Sequence, residues 1–451
     1  MQKEFRALVF LGTLALPALA VATGPLSLDE AIHLALTQNP NLRAADRQAQ
    51  AAGARADAAK GTLMPQLGVS YVVRRSDNPL DAFADKLNTR SVTTADFAPQ
   101  SLNYPDPSTI HATHVTLEMP IYTGGRLMAG VHEAGAYAEA ARFDYERRQQ
   151  ATVYNTLNTY RAAQAATYAV SIASDAVDAA REHAETTARL ARQGRIVASD
   201  RMTAELNLAA AESQRVQAAN RERLALEDLR LVMGLPADAP LVLPPWESPA
   251  APAAVPATGE SEQRALATRK DLKANEALLT ASRTKISAAR AAFQPQIGLV
   301  AADSWYDDNA ALDNKSQSIM GVISLNLFNG GRDWYGLSAA HHDTEQNELR
   351  LEGMQQAVRG EVRAATSRLT EATERRQIAA QSVEKARETV RLVKQRYGEG
   401  RTILIDLLMA ERVLVEARNE ELIAGLNQEL SAAQLQLAEG SLPLPGEAPT
   451  Q

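Results

Sequence analysis

The chain has 451 residues, no cysteine and a formal net charge of −7, from 47 Lys and Arg against 54 Asp and Glu. The mildly acidic balance argues against a nucleic-acid partner, and the lack of cysteine excludes disulfides. Aromatic residues make up 5% of the chain, and alanine and leucine dominate long stretches. This composition favours long helices.

Residues 1–20 predict a cleaved secretory signal peptide. Lys3 and Arg6 precede an apolar run that ends on Ala18-Leu19-Ala20, a small-x-small cleavage pattern. The run is shorter than the roughly 20 apolar residues that a transmembrane helix needs, and a buried N-terminal helix is the alternative. No later stretch reaches that length, and an exported chain without cysteine has no site for an N-terminal lipid. We therefore expect neither a helix nor a lipid to hold the mature chain in a membrane.

The rest of the sequence is an internal duplication. "YTGGR" (Tyr122 to Arg126) recurs 206 residues later as "FNGGR" (Phe328 to Arg332), and "QGRIVASD" recurs at the same spacing as "EGRTILID". The first copy has 24 more residues between Pro65 and Gly124. The predicted organisation is a signal peptide (1–20), a first repeat (21–233), a Pro/Ala-rich linker (234–260), a second repeat (261–440) and a C-terminal tail (441–451).

Each repeat is predicted to begin with a helix and to continue with two strands joined by a polar loop. Ser27 and Glu30 form a capping box at the first helix, which Pro40 interrupts. Apolar residues then alternate with other residues, a period typical of a strand with one apolar and one polar face. The apolar positions are Leu67, Val69, Tyr71, Val73, Val115, Leu117, Met119 and Ile121, and in the second copy Ile297, Leu299, Ile323, Leu325 and Leu327.

A long helical hairpin is predicted to follow the strands in each repeat. No proline occurs from Arg126 to Gln193 or from Arg332 to Glu399, and 68 residues make a helix roughly 100 Å long. Core-type residues follow a 4-3 spacing, which indicates coiled-coil packing. In the second copy they are Val358, Val362, Ala365, Leu369, Ala372, Arg376, Ala379, Val383, Ala386, Val390, Val393 and Tyr397.

Four strands with one apolar face indicate an oligomeric barrel. Four strands cannot close a barrel, and an open sheet edge in lipid leaves backbone groups unsatisfied. Two chains would give 8 strands and a filled interior, whereas three would give 12 and a lumen that the long helices extend into a tunnel. The periodicity of the sequence does not distinguish a dimer from a trimer. An exported soluble coiled-coil scaffold is the alternative from another class.

Four stretches resemble the outer membrane efflux protein family, the TolC-like channels, over essentially the whole mature chain. They are "ALTQNPNLRAA" (Ala35 to Ala45), "MPQLGVS", "PIYTGGR" and "RYGEGRTILIDLLMAE" (Arg396 to Glu411). The resemblance implies a mainly α chain with a small β part, forming a homotrimer with a 12-stranded barrel and a helical tunnel. It implies an outer membrane location with a periplasmic extension, contact with outer membrane lipid and no cofactor. The residues themselves predict no enzymatic activity.

The resemblance also implies a tripartite efflux pump in which the chain is the exit duct. The partners would be a periplasmic adaptor (membrane fusion) protein and an inner-membrane transporter of the RND, ABC or MFS type. Type I protein secretion uses the same architecture and is the alternative. The residues provide no nucleophile with a base and no clustered metal ligands near His111 and His114 or His341 and His342.

The resemblance places a constriction and a closing network at the turns of the two hairpins. Asp406 matches the first constriction aspartate of the family, whereas Met409 stands where the family has the second. A ring of three aspartates would concentrate negative charge. The residues alone allow another interpretation for Asp200 and Asp406, because an aspartate that opens a helix is a good N-cap. The two interpretations can coexist.

Ser199, Asp200 and Tyr397 match members of the closing network. The family arginine that pairs with the Asp200 position is Thr402 here, with Arg401 one place earlier. Whether Arg401 takes over the pairing stays open. The remaining site residues are glycines expected at tight turns and exposed residues expected to contact the adaptor. The tip residues are Gly194, Arg195, Ile196, Gly400, Ile403 and Leu404, and the strand–helix junctions are Gly124, Gly125, Gly330 and Gly331.

Overall fold

The computed structural model describes residues 24–247 and 255–444. The predicted signal peptide lies outside the described residues, as do parts of the predicted linker and tail. The described helices are α1 (Leu28–Gln38), α2 (Pro40–Gly61), α3 (Pro79–Asn88), α4 (Pro99–Asn103), α5 (Arg126–Arg192), α6 (Ala198–Met233), α7 (Thr258–Thr268), α8 (Lys270–Arg290), α9 (Arg332–Gly398) and α10 (Leu404–Glu439). The strands are β1 (Gln66–Ser76), β2 (Ser108–Tyr122), β3 (Gln296–Asp307) and β4 (Asn314–Ser324).

The start of the first helix follows its sequence signals. The Ser27 N–H donates to Glu30 Oε2 (2.9 Å) and the Glu30 N–H donates to Ser27 Oγ (3.3 Å), which confirms the capping box. The break at Pro40 is confirmed as well, because α1 ends at Gln38 and Asn39 caps α2. None of the described helices is both long enough and apolar enough to span a membrane.

The duplication extends to backbone conformation. The non-helical glycines with positive φ in the first copy are Gly124, Gly125, Gly194 and Gly234, and those in the second are Gly330, Gly331, Gly400 and Gly440. Each pair is separated by the same 206 residues. The helices repeat too: α5 and α9 have 67 residues each, and α6 and α10 have 36 each.

The four strands form one antiparallel sheet in chain order, with β1 and β4 at its edges. The apolar positions predicted for β1, β2 and β3 lie on one face, as the register of Leu67 with Leu117 and of Leu117 with Ala301 shows, except Ile121, which falls at a register shift between Pro120 and Tyr122. The other face is less polar than expected, because Val300 and Met320 lie on it beside polar residues.

The prediction for β4 is wrong at its C-terminal end. Leu325 and Leu327 lie beyond the strand, which stops at Ser324. Ser324 pairs with Gln296, the first residue of β3, so no ladder partner on β3 remains for the residues that follow. The polar loop predicted between β1 and β2 is also more ordered than expected, since it contains α3, α4 and a 3₁₀ turn at Thr94–Phe97.

The described residues divide into two compact units. One comprises residues 39–154, 255–374 and 428–444 and contains the sheet; the other comprises residues 24–38, 155–247 and 375–427. In the first unit the predicted core positions Val358, Val362, Ala365 and Leu369 are buried and pack with Leu435. The same spacing continues in the second unit with buried Ala379, Val383 and Ala386. These contacts confirm the coiled-coil pattern.

The unit that contains the sheet also holds an ion cluster around a buried arginine. The Arg269 side chain is 4% exposed, and its guanidinium donates to both carboxylate oxygens of Asp271 (3.0 and 2.6 Å) and to Glu361 Oε2 (2.5 Å). It also reaches the Ala438 carbonyl (3.3 Å). A Cβ at Gly440 would lie 3.0 Å from Arg269 Cα, so this glycine allows the close approach.

Candidate functional site

The two hairpin turns have the same backbone design. Gly194 has φ +65° and Gly400 has φ +70°. The Arg195 N–H donates to the Leu190 carbonyl (3.0 Å), and the Arg401 N–H donates to the Arg396 carbonyl (2.9 Å). These bonds run back five residues and, with the left-handed glycine, form a Schellman motif that satisfies carbonyls at a helix end. The tight turns predicted from the glycines are confirmed.

The two aspartates are not N-caps. Asp200 is the third residue of α6 and Asp406 the third residue of α10. Their backbone N–H groups donate to the Val197 and Ile403 carbonyls (3.2 Å each). The capping interpretation is therefore wrong, although a carboxylate in the first turn still interacts favourably with the helix dipole.

Asp406 and Met409 are exposed on α10. They are three residues apart, so they share one side of the helix. Thr402 Oγ1 donates to Asp406 Oδ2 (2.5 Å), which holds the carboxylate against its own turn. Within a single chain, Thr402 is therefore a partner of Asp406. The arrangement presents a carboxylate and a thioether on the same exposed face.

Arg401 does not pair with Asp200. Its guanidinium lies 3.2 Å from Glu399 Oε2 in its own turn, and its side chain is 71% exposed. Tyr397 does lie near Asp200: partial burial raises the pKa of the Tyr397 phenol, and the Asp200 carboxylate raises it further. The phenol therefore stays neutral beside the carboxylate. Ser199 is exposed, and its carbonyl accepts from Thr203 Oγ1 (2.9 Å).

Leu404 is buried, contrary to the prediction of an exposed tip residue. It packs with Ala184, Ala204 and Leu408, and Tyr397 lies against this cluster. Leu404, in the first turn of α10, therefore packs between the two hairpins, and an adaptor could not reach its side chain. Of the other predicted tip residues, Arg195 and Ile403 are exposed and Ile196 is partly buried.

Val197 is a tip residue that the sequence reasoning missed. It is 62% exposed, close to the 64% of Ile403, its counterpart 206 residues later. The constant spacing of 206 residues could have identified Val197, because it pairs Val197 with Ile403 and Ala198 with Leu404, and it does not pair Ile196 with either tip residue. The two tips therefore present Val197 and Ile403 at equivalent places.

The sequence also did not predict a contact between two helices near the turns. His183 Nε2 is 2.9 and 3.1 Å from the two carboxylate oxygens of Glu411, so the pair ties α5 to α10. Elsewhere, His111 Nδ1 contacts the Tyr71 hydroxyl (2.6 Å) and His114 Nδ1 contacts Ser304 Oγ (2.8 Å). Among residues 24–247 and 255–444, no group of His, Asp and Glu is arranged to hold a metal ion.

The junction glycines join the strands to the long helices with positive φ, from +62° to +85°. Gly124 is also a packing requirement, because a Cβ there would lie 2.5 Å from Gln294 Cβ and 2.8 Å from the Ala291 carbonyl oxygen. Its counterpart Gly330 has open space around it. The duplicated glycines therefore have the same conformation for partly different reasons.

An antiparallel sheet followed by long helical hairpins with tight tips is the architecture of a membrane duct. The sequence profile of the outer membrane efflux protein family matches residues 31–235 and 262–441, and the chain belongs to this family. It is an outer membrane efflux channel, and this location does not fit an exported soluble scaffold.

Individual proteins resemble the chain over most of its length. The alkaline protease secretion protein AprF of Pseudomonas aeruginosa is 23% identical over 406 residues, which cover 88% of this chain and 80% of AprF. The CmeC outer membrane channel of Campylobacter jejuni is 18% identical with a TM-score of 0.78, covering 93% and 87% of the two chains. The outer membrane protein VceC of Vibrio cholerae is 18% identical with a TM-score of 0.76, covering 92% and 96%. The two structures share the fold.

Proposed function

We propose that three copies of this chain form a passive exit duct across the outer membrane and the periplasm. The observation that carries the proposal is the four-stranded sheet, which has one mainly apolar face and leaves β1 and β4 each with an edge that none of the described strands pairs. Unpaired backbone groups in lipid cost several kcal/mol each. Pairing β4 of one copy with β1 of the next removes every edge when the ring closes.

Most of the apolar face has the features of a lipid-facing band, although Asp303 and Gln317 also lie on it in the row of Val69 and Val115. The row Leu67, Leu117, Ala301 and Ile319 crosses all four strands, and Leu67 and Ile319 are 69% and 79% exposed in the single chain. At the loop end, Tyr71 and Trp305 lie in one row with Lys315, whose Nζ is 5.5 Å from the Trp305 ring centre. Aromatic residues at the edge of an apolar band are typical of outer membrane strands.

Three copies suit this sheet better than two. Two copies would give 8 strands, whose interior is filled by side chains, whereas three would give 12 and leave a lumen. The native mass of the protein extracted from outer membranes in mild detergent tests this point. We expect three chains, with the urea-unfolded protein as the single-chain control. A native mass of one or two chains would contradict the trimer.

The hairpin tips are proposed to close the duct and to dock its partners. Three copies of Asp406 would form a negative ring and three of Met409 an apolar ring one turn away, with Asp200, Ser199 and Tyr397 holding the tips together. Arg195, Ile196, Val197 and Ile403 would contact a periplasmic adaptor, which with an inner-membrane transporter of the RND, ABC or MFS type opens the duct.

Conductance in a planar bilayer tests the proposed ring. Asp406→Ala removes both the carboxylate and its bond to Thr402, so we expect a higher resting conductance. Glu399→Gln is the matched control, because it removes a carboxylate from the same turn but outside the ring, and it should leave conductance unchanged. If Asp406→Ala conducts like the wild type, Asp406 is not part of the gate.

Protein secretion is the second candidate, favoured by the match to AprF, whose name states that it serves secretion of alkaline protease. Deletion of the gene for this chain in its host distinguishes efflux from protein secretion. Loss of resistance to small toxic dyes with normal secreted protein supports efflux. Loss of a secreted polypeptide with unchanged dye resistance supports secretion.

A further inference from the structure

The loop between β1 and β2, residues 77–107, is the least repeated part of the molecule. Its counterpart between β3 and β4 has only residues 308–313. Both loops lie at the strand ends opposite the long helices, which is the cell-exterior end of the sheet when the helices are periplasmic. The short loop contains no helix, whereas the β1–β2 loop folds into α3, a 3₁₀ turn and α4.

The β1–β2 loop lies on the face of the sheet opposite the lipid-facing band. Its anchors on the strands are Arg74 and Ser108, which belong to the even-numbered positions of β1 and β2, whereas the apolar band uses the odd-numbered positions. Ile110 and Ala112, the next even positions of β2, are 4% and 6% exposed. α3 lies against β2 and β3. In a closed barrel this face lines the lumen.

Charged groups fix α3 in this place. Arg74 Nη1 lies 2.7 Å from Asp81 Oδ1, and its other nitrogen Nη2 pairs with Asp85, whose side chain is only 6% exposed. Ser108 Oγ donates to the second oxygen of Asp85 (2.9 Å). At the far end of the loop helix, Arg90 Nη2 donates to the carbonyl of Lys315 on β4 (3.1 Å). The loop therefore crosses the sheet from its first strand to its last.

Further contacts make the loop a folded unit. Lys86 pairs with Asp96, and the Thr93 N–H (2.7 Å) and hydroxyl (2.9 Å) donate to the same carboxylate. The Phe83 and Phe97 rings meet edge to face, with centres 5.7 Å apart. The 3₁₀ turn is thus held against α3 by charge and by aromatic packing. A segment with this many internal contacts keeps its position on the sheet.

We propose that the β1–β2 loop of each subunit narrows the outer exit of the duct and sets the size of solute that can pass. This inference rests on the trimeric barrel proposed above. A ring of 12 strands spaced about 4.8 Å apart and tilted about 40° is about 24 Å wide between backbones. A helix with its side chains is about 10 Å wide. Three copies of α3 against the inner wall would fill about half of that cross-section.

Cysteine labelling from outside intact cells tests the exit without passing through the periplasmic tips. The chain has no cysteine, so Thr116→Cys provides a single thiol on the lumen face of β2, deeper than the rows covered by the loop. Its neighbours across the sheet are Gly68 and Ala302, which leave room for labelling. The probes are a small maleimide and a maleimide carrying a polyethylene glycol of about 5 kDa.

Two changes should open the exit. Replacing residues 79–104 by a short Gly-Ser turn should raise the labelling rate of the large maleimide at least about tenfold, because a steric barrier in the pore is gone, while the small maleimide changes little. Arg74→Gln keeps the loop but removes both ion pairs to α3, and it should raise the rate several-fold. Arg75→Gln is the matched control, since Arg75 is the exposed neighbour on the other face of β1, and it should leave the rate unchanged.

Ala310→Cys in the short loop separates the possible failures. It should react with both maleimides in every background, and if it does not, the proposed orientation of the channel is wrong. If Ala310→Cys reacts but loop replacement and Arg74→Gln leave the large-maleimide rate at Thr116→Cys unchanged, the loop is not the constriction. Equal labelling of Thr116→Cys by both probes in the unaltered loop would also overturn the proposal.

Discussion

Alanine substitution at the duplicated junction glycines distinguishes the energetic cost of backbone strain from the cost of a steric clash. Gly124 (φ +62°) and Gly330 (φ +72°) occupy equivalent positions before α5 and α9. Gly330→Ala introduces only the left-handed conformation, at a cost of about 1–2 kcal/mol. Gly124→Ala has the same strain and also brings a Cβ to 2.5 Å from Gln294 Cβ and 2.8 Å from the Ala291 carbonyl oxygen. Overpacking of this kind adds about 1–3 kcal/mol.

The expected total for Gly124→Ala is therefore about 2–5 kcal/mol, roughly twice the cost for Gly330→Ala. The measurement is the apparent melting temperature of each variant in detergent at one protein concentration, because assembly makes the transition concentration-dependent. Gly124→Ala should melt lower than Gly330→Ala, and both below the wild type. Equal shifts would refute the reasoning, since the contact with Gln294 and Ala291 would then contribute nothing.

Three further predictions concern other parts of the chain. Leu404→Ala should destabilise the protein by about 2–4 kcal/mol because its side chain is buried. Ile403→Ala should change the melting temperature little but weaken binding of the proposed adaptor in a pull-down. If Leu404→Ala weakens adaptor binding and leaves the melting temperature unchanged, Leu404 is a docking residue after all. Arg269→Met should cost about 1.5–3 kcal/mol by removing the charged hydrogen bonds to Asp271 and Glu361, and Arg269→Lys less, as chemical unfolding would show. Hydrogen bonding from Lys86, then from the Thr93 backbone and hydroxyl, lowers the pKa of Asp96 from 3.8 to about 2. The stability that the ionised Asp96 carboxylate contributes is therefore fully present above pH 3.8 and is lost as the pH falls through about 2. The difference in melting temperature between wild type and Asp96→Asn should be constant from about pH 7 to 5 and should shrink steeply towards about pH 2.

Periodicity and duplication predicted most of the fold. The 4-3 spacing identified buried positions such as Val358 and Ala386 because heptad contacts between helices are set by residue type and interval alone. The turn glycines were predictable for a similar reason, since a tight helical turn needs a residue that tolerates positive φ. Alternation of apolar residues also located β1, β2 and β3 correctly, because successive side chains of a strand point to opposite faces of the sheet.

The errors arose where distant residues or helix starts decide the outcome. α3 is short, and it is held by ion pairs to Arg74 and a hydrogen bond to Ser108, neither of which local propensity can register. Leu404 looked exposed because it follows the turn glycine closely, yet α10 begins with it and turns it toward the other hairpin. Likewise, Asp406 is not a cap because its helix starts two residues earlier.

In the proposed trimer, the two sheet edges at β1 and β4 also determine how the subunits assemble. The packing of the helical hairpins uses contacts within one chain, such as that of Val358 with Leu435, so a single chain contains the partners that they need. In the proposed trimer the edge strands differ from the hairpins, because their outer backbone groups pair only with strands of neighbouring chains. Closure of the sheet is then a concentration-dependent step, and a lone chain exposes edges that pair with any strand they meet. If three chains close the sheet, we expect the unassembled subunit, rather than the unfolded chain, to be the species that aggregates most readily.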